Sequence, residues 1–121
     1  MLDPYSIDPA LNAFILNQRK INSLFRKEMG INRTHIEILA FANTAISFNP
    51  YQVQRQFGEM NLQQVRLGIR KLNSIGAIEL WLAGARNKPA VYMITKRGRE
   101  LLKTYNQSWL DRMYREIVGI T

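Results

Sequence analysis

The chain has 121 residues, 46% of them hydrophobic, with 17 Lys and Arg against 9 Asp and Glu and a formal charge of +8. That length suits one domain with a real core and leaves little room for a separate catalytic domain, and the hydrophobic share argues against wholesale disorder. Cysteine is absent, which excludes disulfides, Cys-ligated zinc fingers and thiol redox sensing, while the excess of base points to a polyanionic partner.

No apolar run approaches the ~20 residues of a membrane span. The opening Met1-Leu2-Asp3-Pro4-Tyr5 lacks the layout of a signal peptide. A cytoplasmic protein with no membrane partner is the expectation. A first helix is predicted over 8–29. Asp8 is a good N-cap, Pro9 fits the first turn, and Gly30 is a C-terminal stop. Leu11, Phe14, Ile15, Ile21, Leu24 and Phe25 recur at helical spacing, and Ala13 and Leu16 widen the stripe. So wide a stripe implies deep burial or contact with a second chain.

A second helix is expected from Thr34, with Thr34 and Glu37 as a capping box. Ile36, Ile38, Leu39, Phe41, Ala42 and Ala45 make it apolar nearly all round, so it should sit centrally. A short third helix begins at Asn49-Pro50, carries Val53 and Phe57, and stops at Gly58. After a tight turn, Asn61 caps a fourth helix over 62–75, with Gln64 as its box partner and Gly76 as its left-handed exit. A strand pattern over 77–82, a turn over 84–89 and a return strand over 90–94 make a hairpin with a basic tip. Thr95 caps a last long helix over 95–118, whose apolar positions are Leu101, Leu102, Tyr105, Trp109, Leu110, Met113, Tyr114 and Ile117. The fold class is therefore mainly α with a small β-hairpin, and the elements run end to end as one domain over 1–121.

Charge concentrates in the second half. From Arg55 to Lys103 there are ten bases against three acids, so +7 of the +8 lies there. At about 100° per residue, Leu62, Val65, Ile69 and Leu72 share one side of the fourth helix, and Gln63, Arg66, Leu67, Arg70 and Ser74 share the other. The first set is a core face. The second has the chemistry to read duplex DNA: Arg can donate twice to guanine, Gln can pair twice with adenine, and Leu67 can pack on a thymine methyl. A helix fits the major groove, and its first turns reach the bases best, which favours Gln63, Gln64 and Arg66 over Arg70 and Lys71. The plain alternative is a solvated face of good helix formers. The short helix, tight turn and basic-tipped hairpin around it favour nucleic acid.

Those segments resemble the MarR-like winged helix-turn-helix regulators, including their SarA-like relatives, over Asn32 to about Gln107. Asn61 to Ile78 is similar to the family's recognition helix and its Leu-x-x-x-Gly-x-Ile exit, here Leu72, Gly76 and Ile78. Val91 to Leu102 is similar to the returning wing strand and the entry to the next helix, here Ile94, Thr95 and Gly98. The resemblance implies a DNA-binding lobe over about 32–94, flanked by long dimerisation helices over about 8–29 and 95–118. It implies a homodimer on double-stranded DNA, with Gln63, Gln64, Arg66 and Arg70 at the major groove, while Lys71, further along the helix, is placed to reach bases or phosphates. Arg86 and Lys88 would then lie at the adjacent backbone or minor groove. It also implies room for a small-molecule effector. The wing departs from the family's usual Asp-Arg tip, having Arg86-Asn87-Lys88-Pro89 instead.

Other features carry less. Lys96, Arg97 and Arg99 lie at the start of the last helix, where cations oppose the helix dipole unless a phosphate is near. His35 is the only histidine, and alone it makes a poor metal site. No Ser/His/Asp set, nucleophile elbow or acid/base pair appears, so neither catalysis nor a cofactor is expected. Trp81, Trp109, Tyr105 and Tyr114 fit a core or a dimer interface. Two rivals to DNA binding stay open: a winged-helix module for protein or RNA, and a small enzyme or ligand carrier built on the terminal helices.

Overall fold

The computed structural model describes the backbone over residues 8–118. The side chains at 10, 13, 29 and 112–118 lie outside the described residues, so the expected places of Ala13, Met113, Tyr114 and Ile117 do too. The elements are α1 (Pro9–Met29), α2 (Arg33–Thr44), α3 (Pro50–Gln56), α4 (Leu62–Ser74), β1 (Ile78–Leu82), β2 (Val91–Ile94) and α5 (Lys96–Val118). The chain divides into two compact units. One holds α1 and the part of α5 from Thr104 onward; the other runs from Ile31 to Lys103.

The second unit is the lobe. Ile38, Leu39 and Ala42 of α2, Val53 of α3, and Val65, Ile69 and Leu72 of α4 are buried together with Phe48, Ala77, Ile78 and Ile94. Each of the larger side chains contributes about 1.5–3 kcal/mol by leaving water, so this cluster is what seats α4. Gly68 sits where α4 crosses α2: a Cβ there would lie 2.6 Å from Ile38 Cδ1.

Three helices in a row begin with an asparagine cap. Asn49 Oδ1 accepts from Gln52 N at 3.0 Å, and Asn61 Oδ1 from Gln64 N at 2.8 Å, each reciprocated by the glutamine side chain. At α2 the expected Thr34–Glu37 box is wrong. The cap is Asn32, two residues earlier, whose Oδ1 accepts from His35 N at 3.2 Å. Asn32 N donates in turn to His35 Nδ1 at 2.9 Å. A neutral imidazole supplies the acceptor that a Glu or Gln usually gives. Glu37 instead pairs with Arg33, Nε to Oε1 at 2.9 Å, one turn along the helix.

The strands pair antiparallel, Ile78 with Ile94 and Leu80 with Tyr92, and the register slips between Leu80 and Leu82, leaving Trp81 on a bulge. Trp81 is 55% exposed, so it belongs to no core within this chain. Phe48 adds a bridge outside the two strands: its N–H donates to Tyr92 O at 3.0 Å and its carbonyl accepts from Tyr92 N at 2.8 Å. This tie anchors the hairpin to the loop before α3.

The seam between α4 and α5 explains two loose sequence patterns. Gly76 has φ +77°, and Ala77 N donates to Leu72 O at 2.9 Å, which closes α4. Thr95 then returns to this exit. Its N–H donates to Ala77 O at 3.0 Å, its hydroxyl donates to Gly76 O, and the same hydroxyl accepts from Gly98 N at 3.1 Å. Thr95 is thus both cap and clasp. Gly98 has no room for a Cβ, which would run into Ala77 O.

In the first unit, α1 and α5 meet through aromatic side chains. Phe14 and Trp109 lie 4.6 Å apart by ring centroid, and Phe25 meets Tyr105 edge to face at 5.1 Å. Tyr105 OH donates to Asn22 Oδ1 at 2.7 Å. Ile21, Phe25 and Trp109 are buried, whereas Leu11, Phe14, Ile15, Leu16 and Leu24 of α1 and Leu110 of α5 stay exposed.

Candidate nucleic-acid interface

The amphipathic split of α4 is realised. Val65, Ile69 and Leu72 are buried and Leu62 is half-buried, while Gln63, Arg66, Leu67, Arg70 and Ser74 are exposed. Burial of one side fixes the rotation of the helix, so the other side is held outward as a ridge. Leu67 is 53% exposed, an apolar residue displayed between polar ones.

Two of the expected site residues stand apart from that ridge. Gln64 is exposed, but its Oε1 accepts from Asn61 N at 3.0 Å as the helix cap. A two-bond contact to adenine needs that same oxygen, so capping and base reading compete at Gln64. Lys71 is half-buried on the flank near His35, whose pKa it helps to lower. Burial of the imidazole is the larger cause of that shift, with the neighbouring ammonium second.

The wing tip is a tight turn. Ala85 and Lys88 exchange backbone hydrogen bonds of 3.0 and 2.9 Å, leaving Arg86 and Asn87 as its two central residues. Asn87 adopts φ +69°, a conformation asparagine tolerates better than most residues. Arg86 and Lys88 are both exposed. Among the described residues, no acid forms an ion pair with Arg66, Arg70, Arg86 or Lys88. Their charge is therefore available to an external anion.

Helix and wing face a hollow of about 360 Å3, lined by Tyr51, Arg66, Ala85, Asn87, Lys88, Pro89 and Ala90. Arg66 is the α4 member. Its Nη2 donates to Tyr51 OH at 3.4 Å, and its guanidinium carbon lies 6.0 Å from the Tyr51 ring centroid. Tyr51 is the functional candidate that sequence reasoning missed. Its place at the second position of α3 follows from the Asn49-Pro50 cap, but the wing and Arg66 beside it come from distant parts of the chain. Lys96, Arg97 and Arg99 are exposed at the start of α5 and line none of this hollow.

A short helix, a tight turn, a second helix with an outward polar ridge and a basic-tipped hairpin define a winged helix-turn-helix protein. Solved structures carry the comparison further: the chain has the MarR-like winged-helix fold. It superposes on YusO from Bacillus subtilis with a TM-score of 0.74 at 14% identity, covering 93% of this chain and 79% of that one. MarR from E. coli in complex with operator DNA gives a TM-score of 0.65 at 16% identity, covering 92% and 79%. The Mycobacterium tuberculosis MarR family protein Rv2887 in complex with DNA gives 0.64 at 22% identity, covering 92% and 82%. Rv2887 has also been solved with p-aminosalicylic acid. By sequence alone no family model matches the chain, and no curated protein matches it significantly.

Proposed function

We propose that this protein binds double-stranded DNA sequence-specifically as a homodimer and regulates transcription in the cytoplasm. The observation that carries this reading is the outward ridge of α4 beside a basic wing tip, with no acid among the described residues paired to its four cations. Gln63, Leu67 and Arg70 offer base edges a carboxamide, an apolar surface and a guanidinium. Arg86 and Lys88 at the wing supply charge to the adjacent backbone or minor groove. The exposed apolar side chains of α1 and Leu110 give a second copy a surface to cover. Two structural neighbours are solved on DNA, and one is solved with a small aromatic acid, which supports a DNA function and an effector of similar size.

Selection of bound sequences from random duplex DNA, with the size of the complex measured, tests the reading. A near-palindromic site with half-sites about one helical turn apart is expected. The logarithm of affinity should fall by about 0.9 per log salt for each phosphate neutralised. Replacing Gln63 and Arg70 together by Ala should erase the preference for the selected site and keep weak general binding. No enrichment from the pool, or preferential capture of single-stranded RNA, would refute it.

A further inference from the structure

Position on the helix wheel gives Arg66 to the bases, but its contacts in the fold lead elsewhere. The hydrogen bond to Tyr51 OH and the placement near the Tyr51 ring draw its guanidinium toward α3, at the edge of the hollow shared with the wing. Among the described residues, the charged ones lining that hollow are Arg66 and Lys88, with no carboxylate. The hydroxyl that accepts from Arg66 keeps its own proton to donate. Three kinds of donor thus border one small concavity: a guanidinium, an ammonium and a phenol.

We propose that this hollow seats one backbone phosphate of the bound duplex. Arg66 and Lys88 supply the charge, and Tyr51 holds the guanidinium in place while donating to a phosphate oxygen. The inference rests on the DNA-binding reading and divides the labour within it. Arg66 fixes how the lobe sits on the duplex, while Gln63, Leu67 and Arg70 read sequence. A phosphate suits the donors because it presents several acceptor oxygens and a full negative charge, which matches a guanidinium fork and a point-charge ammonium together. Swinging Arg66 to a base edge would give up both contacts with Tyr51. Clamping the duplex at the seam of helix and wing would also fix the angle between them, which base contacts by α4 alone would not do.

The test uses the full chain and the variants Arg66→Ala, Arg70→Ala and Tyr51→Phe. Affinity is measured on the selected duplex, on its single-base variants and on a scrambled duplex across a salt series. Arg66→Ala should weaken selected and scrambled duplexes by the same factor and reduce the salt slope by at most about 0.9, since Lys88 still faces that phosphate. Tyr51→Phe, which keeps the ring, should weaken both by a smaller common factor at an unchanged slope. Arg70→Ala should relax preference at one base position. Replacing single phosphates by neutral methylphosphonates should identify one position at which the full chain and Arg66→Ala bind alike. If Arg66→Ala instead relaxes one base position and leaves the salt slope intact, the phosphate seat is wrong and the DNA reading survives. If the unmutated chain binds no duplex, both fall, and that outcome is seen before any variant is made.

Discussion

The lobe and the terminal helices bury their apolar residues to different degrees. In the lobe, Phe48, Ile38, Leu39, Val53, Val65, Leu72 and Ile78 are wholly enclosed by residues of the same chain. Its exposed large apolar side chains fall on four separate elements: Ile46 in a loop, Tyr51 on α3, Leu67 on the ridge, and Leu80, Trp81 and Leu82 along the wing. On α1 they are concentrated, with Phe14, Ile15 and Leu16 consecutive and Leu11 and Leu24 on either side. A helix that buries Ile21 and Phe25 and still shows five large apolar residues has more surface to hide than one neighbouring helix covers. The lobe completes its core within one chain; the terminal unit leaves an apolar surface open, which the proposed homodimer would cover.

The largest expected effect breaks that contrast at α1. Leu11→Glu with Ile15→Glu puts two charges one turn apart on the exposed apolar face. Losing two buried aliphatic side chains costs about 4 kcal/mol of association, roughly a thousandfold in the dimer constant. Sedimentation should show a monomer, while hydrogen-exchange protection at the lobe's core amides, such as those of Leu39 and Leu72, should stay where it was. A variant that still sediments as a dimer would mean that the second copy covers another face.

The next effect tests how tightly the lobe is closed, and two glycines separate a rigid seam from a yielding one. At Gly98 an added Cβ meets the Ala77 carbonyl oxygen and, at 2.7 Å, Ile94 Cγ1. Backbone cannot step aside cheaply, so Gly98→Ala should cost about 3 kcal/mol, at the upper end of ordinary overpacking. At Gly68 the obstacle is Ile38 Cδ1, the end of a side chain that can change rotamer. Alanine also favours the helix by about 1 kcal/mol over glycine, so Gly68→Ala should lose no more than about 1 kcal/mol. Chemical denaturation ranks the pair; equal losses would show that the seam at Thr95 gives way as easily as a side chain.

Much of this was legible in the sequence, because local rules carry it. The Asn49-Pro50 and Asn61 caps, the exit at Gly76, the entry at Thr95 and the two sides of α4 all depend on residues within a few positions of each other. What failed or was missed involves partners that spacing does not name. Thr34–Glu37 has the usual box spacing, yet Asn32 reaches the helix first, and a histidine completes the box. Trp81 carries the composition of a core residue but falls on a bulge of an exposed wing. The strand partner of Phe48 is 44 residues away, and Arg66 meets Tyr51 from 15 residues away, so no periodicity could have joined them. The ridge itself was readable; which of its side chains are already engaged was not.

The smallest effect is a pH dependence centred on that unusual cap. His35 Nδ1 accepts the Asn32 N–H, and a protonated imidazole has no lone pair there to accept it. Burial, and then Lys71, lower the His35 pKa from its ordinary 6.5. The folded lobe therefore binds this proton less readily than the unfolded chain does. The contribution to stability is complete above the unfolded value and fades as pH falls below it, until the lowered folded value is passed. Gln at the same position can serve as the box partner without titrating, as it does at Gln52 and Gln64. The difference in Tm between His35→Gln and the unmutated chain should thus be small at about pH 7.5 and should grow in favour of the glutamine toward about pH 5.5. If the two chains lose stability in parallel across that range, the imidazole is not the acceptor that holds the start of α2. The lobe's closure would then owe nothing to the protonation state of its only histidine.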